Sequence, residues 1–213
     1  MKFGLMFKKF GLMFNNKPKG TFIALDIETT GFEPNDNSRI VEIATCSFSF
    51  TDYKRGSILF FPFLSKHYYI NPNISVGTSE AITGISDDML IDKPLFIEIA
   101  EEFIGLIKDE TLLLYDAAFD LSFLNYELEL AGFDIRVEDI CNVVDCREMA
   151  KKCFLKENGH MHNLDYLEKF AQPFITGKLT PDESIKFYKS SKTNRDAYTI
   201  AELYLSMLFV YDD

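Results

Sequence analysis

The stretch Thr21–Gly31, TFIALDIETTG, constrains this chain more than any other. Phe22, Ile23, Ala24 and Leu25 form a short apolar run of the kind that makes a strand buried on both faces. The run then breaks into Asp26-Ile27-Glu28-Thr29-Thr30-Gly31. Residues two apart in a strand share a face, so Asp26 and Glu28 present two carboxylates side by side. Like charges at the end of an apolar strand repel each other and resist desolvation. A hard divalent ion such as Mg²⁺ or Mn²⁺, which prefers carboxylate oxygen, would neutralise them. Gly31 gives the chain freedom to turn sharply. On its own, the pair also fits a strand that simply ends in a polar turn.

Two more acids stand in ordered company. Asp120 lies in Ala117–Leu124, AAFDLSFL, just after the apolar run Thr111–Leu114; Asp196 lies in Asn194–Tyr204, NRDAYTIAELY. Between them and the first stretch come Arg39–Ala44 (RIVEIA) and Ile82–Leu90 (ITGISDDML). Taken in this order, the segments resemble the DEDD (DnaQ-like) family of 3′–5′ exonucleases, which includes the proofreading epsilon subunit of bacterial DNA polymerase III. The resemblance spans about Thr21 to Leu208, and several ordered motifs are more specific than any one of them.

That resemblance implies an α/β, ribonuclease H-like fold with two divalent ions, Mg or Mn, held by Asp26, Glu28, Asp120 and Asp196. It implies hydrolysis of a single-stranded or frayed 3′ end of DNA or RNA into 5′-mononucleotides, and it leaves open whether a DNA polymerase is a partner. Thr29, Thr30 and Gly31 would approach the terminal nucleotide, and Phe119 would either pack near its sugar or sit in the core. Two positions depart from the family. Its general base is a histidine five residues before the last aspartate, or a tyrosine four before it; here these positions hold Ser191 and Lys192. Serine has no useful pKa for the task, and lysine would need strong desolvation. Where the family often has His-Asn, this chain has Tyr115-Asp116, a fifth carboxylate that either binds metal or caps a helix. Of the histidines, His67 reads as structural, while His160 and His162 form an isolated H-x-H that fits a metal or a solvated loop. The alternative to a slow exonuclease is a catalytically impaired module that binds nucleic acid ends or a polymerase.

Charge is unevenly placed. Residues 1–20 carry Lys2, Lys8, Lys9, Lys17 and Lys19 and no acid, which leaves −16 on the remainder of a chain whose net charge is −11. So acidic a body argues against a broad basic groove for duplex nucleic acid, though not against an enzyme that grips a chain end through bound metal. The local cations Lys178, Lys186, Lys189, Lys192 and Arg195 fit phosphate contacts or a solvated face. Cys46, Cys141, Cys146 and Cys153 form no C-x-x-C pair, and no secretory signal is evident, so reduced thiols and a cytoplasmic location are expected.

Residues 1–14 contain a direct repeat whose Phe3, Met6, Phe7, Phe10, Met13 and Phe14 fall on one helical face. It fits a membrane surface, a partner's groove, or a frayed tail. Residues 1–20 thus read as a basic extension and linker, and 21–213 as one exonuclease domain. Within it, strands are expected near Phe22–Leu25, Ile40–Phe50, Ser57–Leu64 and Lys66–Ile70, the last three as an antiparallel meander. Short helices follow around Ser79 and Ser86, then a longer one over Leu95–Lys108. A buried strand is expected over Thr111–Leu114, and helix Ala118–Ala131 follows it. A short strand at Val143–Asp145 leads into helix 146–153, and helices over Leu164–Ala171, capped by Asn163, and Arg195–Val210 complete a mixed sheet of about five strands with flanking helices.

Overall fold

The computed structural model describes residues 20–53, 57–153, 164, 167 and 191–209. The N-terminal repeat, His160, His162, Lys178, Lys186 and Lys189 lie outside them, as does most of the helix expected at Leu164–Ala171, of which Leu164 and Leu167 are helical.

The apolar run Phe22–Leu25 is buried on both faces because its strand, β1 (Phe22–Thr29), is the middle one of five. On one side β2 (Ile40–Tyr53) pairs antiparallel with β1, and β3 (Ser57–Tyr69) pairs antiparallel with β2. On the other side β4 (Thr111–Leu114) runs parallel to β1, and β5 (Asn142–Asp145) parallel to β4, giving the order β3-β2-β1-β4-β5. The meander is therefore present, with one difference. The segments expected as separate strands at Ser57–Leu64 and Lys66–Ile70 form one strand, and a register shift near Ser47/Phe48 absorbs the irregularity. Pro62 is tolerated within it because β3 is an edge strand.

Alternation along β1 divides the core into two layers. Ile23, Leu25 and Ile27 face a layer built with Phe96, Phe103, Ile107, Phe123 and Leu128. Phe22 and Ala24 face Cys46, Phe48, Ile200, Leu203, Tyr204 and Met207 on the other side. In chain order, the helices among the described residues are α1 (Glu80–Thr83), α2 (Asp87–Leu90), α3 (Phe96–Ile107), α4 (Ala117–Leu130), α5 (Val137–Ile140), α6 (Cys146–Cys153) and α7 (Lys192–Phe209), of which α3 and α4 supply the first layer and α7 the second. Each fully buried aromatic or aliphatic side chain contributes about 1.5–3 kcal/mol, so the paired layers anchor α4 and α7 firmly on opposite faces of β1.

Two helices begin earlier than their periodicity suggests. α4 starts at Ala117, whose backbone N–H donates to Asp145 Oδ2 at 3.1 Å. α7 starts at Lys192 rather than Arg195, because Ser191 Oγ accepts from the Asn194 backbone N–H at 3.0 Å and so caps the helix. Helix α5 has only four residues, too few to show a period in the sequence.

Candidate active site

β1 and β4 are parallel and in register from Phe22↔Thr111 to Ala24↔Leu113. Two residues further along β1, Asp26 is level with the point where the chain leaves β4 and turns into α4. The first turn of α4 then brings Asp120 to the same edge. Asp26 and Glu28 share the β1 face that α7 covers, and α7 carries Asp196 in its second turn. The four acids, dispersed in sequence, thus meet at the carboxyl edge of the parallel strands, where open α/β sheets commonly bind ligands.

The electrostatics record that convergence. Asp26 keeps slight solvent contact, but the atoms packed round its carboxyl desolvate it; this, then the charges of Asp120, Asp196 and Glu28, push its pKa well up. Asp120 is 3% exposed, and burial, then Asp116 and Asp145, push it well up too. Its Oδ2 has no hydrogen-bond partner among the described residues. Burial also raises Glu28, partly offset by Lys192. A buried, unbonded carboxylate oxygen beside other carboxylates is the donor chemistry that hard divalent ions take. Among the described residues, no three such side chains are already closed round a common point.

Lys192 stands among these acids. Its Nζ donates to Glu28 Oε1 at 3.1 Å and lies 3.6 Å from Asp196 Oδ2. Arg195 Nε is 3.6 Å from Asp196 Oδ1. Of the cations expected before Asp196, these two therefore lie on the site's own carboxylates. Ser191, at the position of the family's base, serves as a helix cap and donates to Glu42.

Glu42 was visible in the sequence only as an acid inside RIVEIA. It is 2% exposed and sits opposite Glu28 in the β1–β2 ladder. His67 Nε2 lies 2.5 Å from its Oε1, and Thr193 Oγ1 donates to Oε2. Burial alone would raise Glu42, but the bonds from His67, Thr193 and Ser191 outweigh it and hold it below the usual range. One carboxylate thus fixes the start of α7 to the sheet. His67 is structural, as its place in the meander suggested, and the signal for the clamp was a lone acid in an apolar strand.

Asp116 does not join the four. It adopts a left-handed backbone (φ 74°, ψ 61°), makes no side-chain cap bond and pairs with Arg147. The α4 cap comes from Asp145, whose other oxygen accepts from the Glu148 N–H at 2.9 Å.

Beside Glu28 a cleft of about 180 Å³ is lined by Thr29, Thr30, Gly31, Phe32, Ile82 and Phe119, among others. A larger one of about 600 Å³ runs along α4 past Tyr126, Phe133 and Arg136, and none of the four acids lines it. Phe119 packs on Phe123 (ring centroids 5.1 Å apart) while also lining the smaller cleft, so it serves the core and the cleft together. Thr29 Oγ1 donates to the Gly31 carbonyl at 2.6 Å, and Thr30 Oγ1 accepts from the Arg39 N–H at 2.9 Å. These threonines brace the turn that walls the cleft.

Gly31 was expected to supply unusual backbone freedom, but its φ is not left-handed. Its requirement is space: a Cβ there would lie 2.5 Å from Ser38 Oγ and 3.2 Å from Ser38 Cβ. Gly31→Ala should therefore cost about 1–3 kcal/mol through overpacking. Adding Ser38→Ala should recover part of that loss in a double-mutant cycle followed by urea unfolding. Additive effects would show that the contact is not the cause.

The comparisons with known proteins agree with this architecture. Residues 23–176 match the family model RNase_T, described as Exonuclease. The DNA polymerase III subunit epsilon of Rickettsia conorii is 34% identical over 188 residues, 87% of this chain and 73% of that protein. The same-named protein of Rickettsia felis is 37% identical over 187 residues, 87% of this chain and 72% of that one. Among solved structures, Exonuclease X in complex with 5′ overhanging duplex DNA superposes with a TM-score of 0.57 at 18% identity, covering 88% of this chain and 90% of that one. Escherichia coli Exonuclease I in complex with a dT13 oligonucleotide gives 0.61 at 16% identity, covering 89% and 41%. These two share the ribonuclease H-like fold. The family match and the identity to the epsilon subunits go further: this chain belongs to the RNase_T exonuclease family, whose members include the DnaQ-type 3′–5′ exonucleases.

Proposed function

We propose that the chain hydrolyses 3′ ends of nucleic acid one nucleotide at a time, with Asp26, Glu28, Asp120 and Asp196 as ligands for two divalent ions, Mg²⁺ or Mn²⁺. The observation that carries this reading is the meeting of the four acids at the carboxyl edge of β1 and β4, where burial and acidic neighbours oppose the ionisation of Asp26 and Asp120. When bound, such ions supply an ionised water as nucleophile and offset the charge on the departing oxygen. The chain's own residues do the rest. Thr29, Thr30 and Gly31 form the wall against which the terminal nucleotide rests, and Ile82 and Phe119 offer its base an apolar surface. The relatives named as DNA polymerase III subunits support a DNA end as substrate and a polymerase as partner. Among the described residues no helix is long and apolar enough to cross a membrane, and nothing described bears on a membrane role for residues 1–14.

The test is release of mononucleotides from 3′-labelled single strands of DNA and of RNA with Mg²⁺ or Mn²⁺, and its loss on adding EDTA. Absence of release with metal demonstrably bound would favour the impaired binding module instead. The rate should be slow, because Ser191 caps a helix where a base would stand. Ser191→His should raise it by roughly tenfold or more, since a positioned base contributes about 10²–10⁴-fold. The loss of the cap should cost about 1 kcal/mol of stability. An efficient wild-type rate that Ser191→His leaves unchanged would show that the base comes from elsewhere.

A further inference from the structure

The acidic centre is electrostatically lopsided, and Lys192 makes it so. Its ammonium bridges Glu28 and Asp196 and its field reaches Asp26. Three of the four acids thus share a cation supplied by their own chain. Among the described residues, nothing equivalent stands at the fourth. The charges acting on Asp120 are those of Asp26, Asp116 and Asp145, all negative, and its Oδ2 is unbonded among the described residues. Arg147 is taken up by Asp116.

The root of Lys192 is held more firmly than that of an ordinary surface lysine. Its two neighbours, Ser191 and Thr193, both donate to Glu42, and His67 braces the same carboxylate from β3. Helical spacing then aims Lys192 along the face that carries Asp196, one turn on. Beyond the root the stem is flexible and half exposed, so the ammonium is delivered to the acids yet remains free to swing into solvent.

We propose that Lys192 acts as a tethered competitor for one of the two divalent ions. The inference rests on the metal-dependent reading above. The first ion binds on the Asp26–Asp120 side, where no cation among the described residues opposes it. The second gains Glu28 and Asp196 only by displacing the ammonium, so it binds more weakly, and its occupancy sets the metal concentration at which the enzyme works. The position that could have held a base therefore regulates metal loading instead.

The test is direct metal counting on the full chain, stripped with chelator and titrated with MnCl₂. Free Mn²⁺ is read by electron paramagnetic resonance, and heats by calorimetry. Wild type should show two classes of site. In Lys192→Met, which keeps the apolar stem and removes the charge, the weaker class should tighten by about tenfold or more, the range in which side chains around a metal commonly change its affinity. The stronger class should stay nearly where it was. Lys192→Arg, which keeps a cation, should retain the gap between the classes. Lys192 is 51% exposed, so all variants should fold, and circular dichroism verifies it. Superimposable isotherms for wild type and Lys192→Met, or weaker binding in the variant, would overturn the role of Lys192 while leaving the metal centre intact. If neither protein bound Mn²⁺, the four-acid metal centre itself would fall, and the inference with it.

Discussion

Asp26→Asn and Asp120→Asn should each reduce nucleotide release to the level of an enzyme-free control. Both keep the shape of the side chain and remove the charge that a divalent ion requires. The more discriminating readout is stability, which should move the other way. The Asp120 carboxyl titrates well above its ordinary value because burial and its acidic neighbours oppose ionisation. A raised folded-state pKa means that the folded protein holds its proton more tightly than the unfolded chain does. That favourable term is full below the unfolded value, near about 3.9, and is lost as pH rises through the folded one. At neutral pH the metal-free protein therefore bears the cost of holding this unbonded carboxyl where its ionisation is opposed. Asparagine removes it, so Asp120→Asn should raise the metal-free thermal midpoint, with each kcal/mol worth about 2–4 °C in a chain of this size. Adding Mn²⁺ should reverse the order, stabilising wild type and leaving the variant nearly unmoved. Persisting activity in either variant, in preparations free of other nucleases, would remove these residues from the metal site.

Glu127→Ala should be the most damaging substitution for the fold away from the acids. Glu127 is 1% exposed and accepts from Arg39 Nε at 2.7 Å, Arg39 Nη2 at 2.6 Å and the Ile40 backbone N–H at 3.2 Å. It thereby ties the far end of the turn after β1 to the helix that carries Asp120. Removing it strands a buried N–H and an arginine whose side chain is only 21% exposed. Breaking a buried pair costs about 3–5 kcal/mol, and the solvent that Arg39 retains places this one near the low end. A thermal midpoint lower by roughly 6–12 °C is expected. Glu127→Gln, which keeps an acceptor for the Ile40 N–H, should lose less. A change in Glu127→Ala below about 1 kcal/mol in urea unfolding would show that water replaces the carboxylate at little cost.

What the sequence made legible followed from short-range geometry. Asp26 and Glu28 could be placed on one face because a strand repeats every two residues, and Asp120 at a helix start because an apolar strand precedes it. The mixed sheet with its meander was legible because a run of strands precedes an alternation of strands with helices, whereas the order β3-β2-β1-β4-β5 emerged only in the fold. What stayed hidden depended on partners far along the chain. Lys192 meets Glu28 across 164 residues, and Arg39 meets Glu127 across 88. No local period encodes either pair. Glu42 was hidden differently: an acid in an apolar strand announces that something must satisfy it, but not that His67, Ser191 and Thr193 do so. Gly31 was flagged for the wrong reason, since lack of a Cβ and freedom of φ are indistinguishable in a sequence.

Asp145 has a consequence that reaches beyond its own strand. One of its oxygens takes the first N–H of α4, and the other takes an N–H in the first turn of α6. Two helices on opposite faces of the sheet therefore share a single pin. A displacement of α6 cannot be absorbed locally: the pin carries it into the turn that presents Asp120. Any replacement here must serve two helix starts at once or release both.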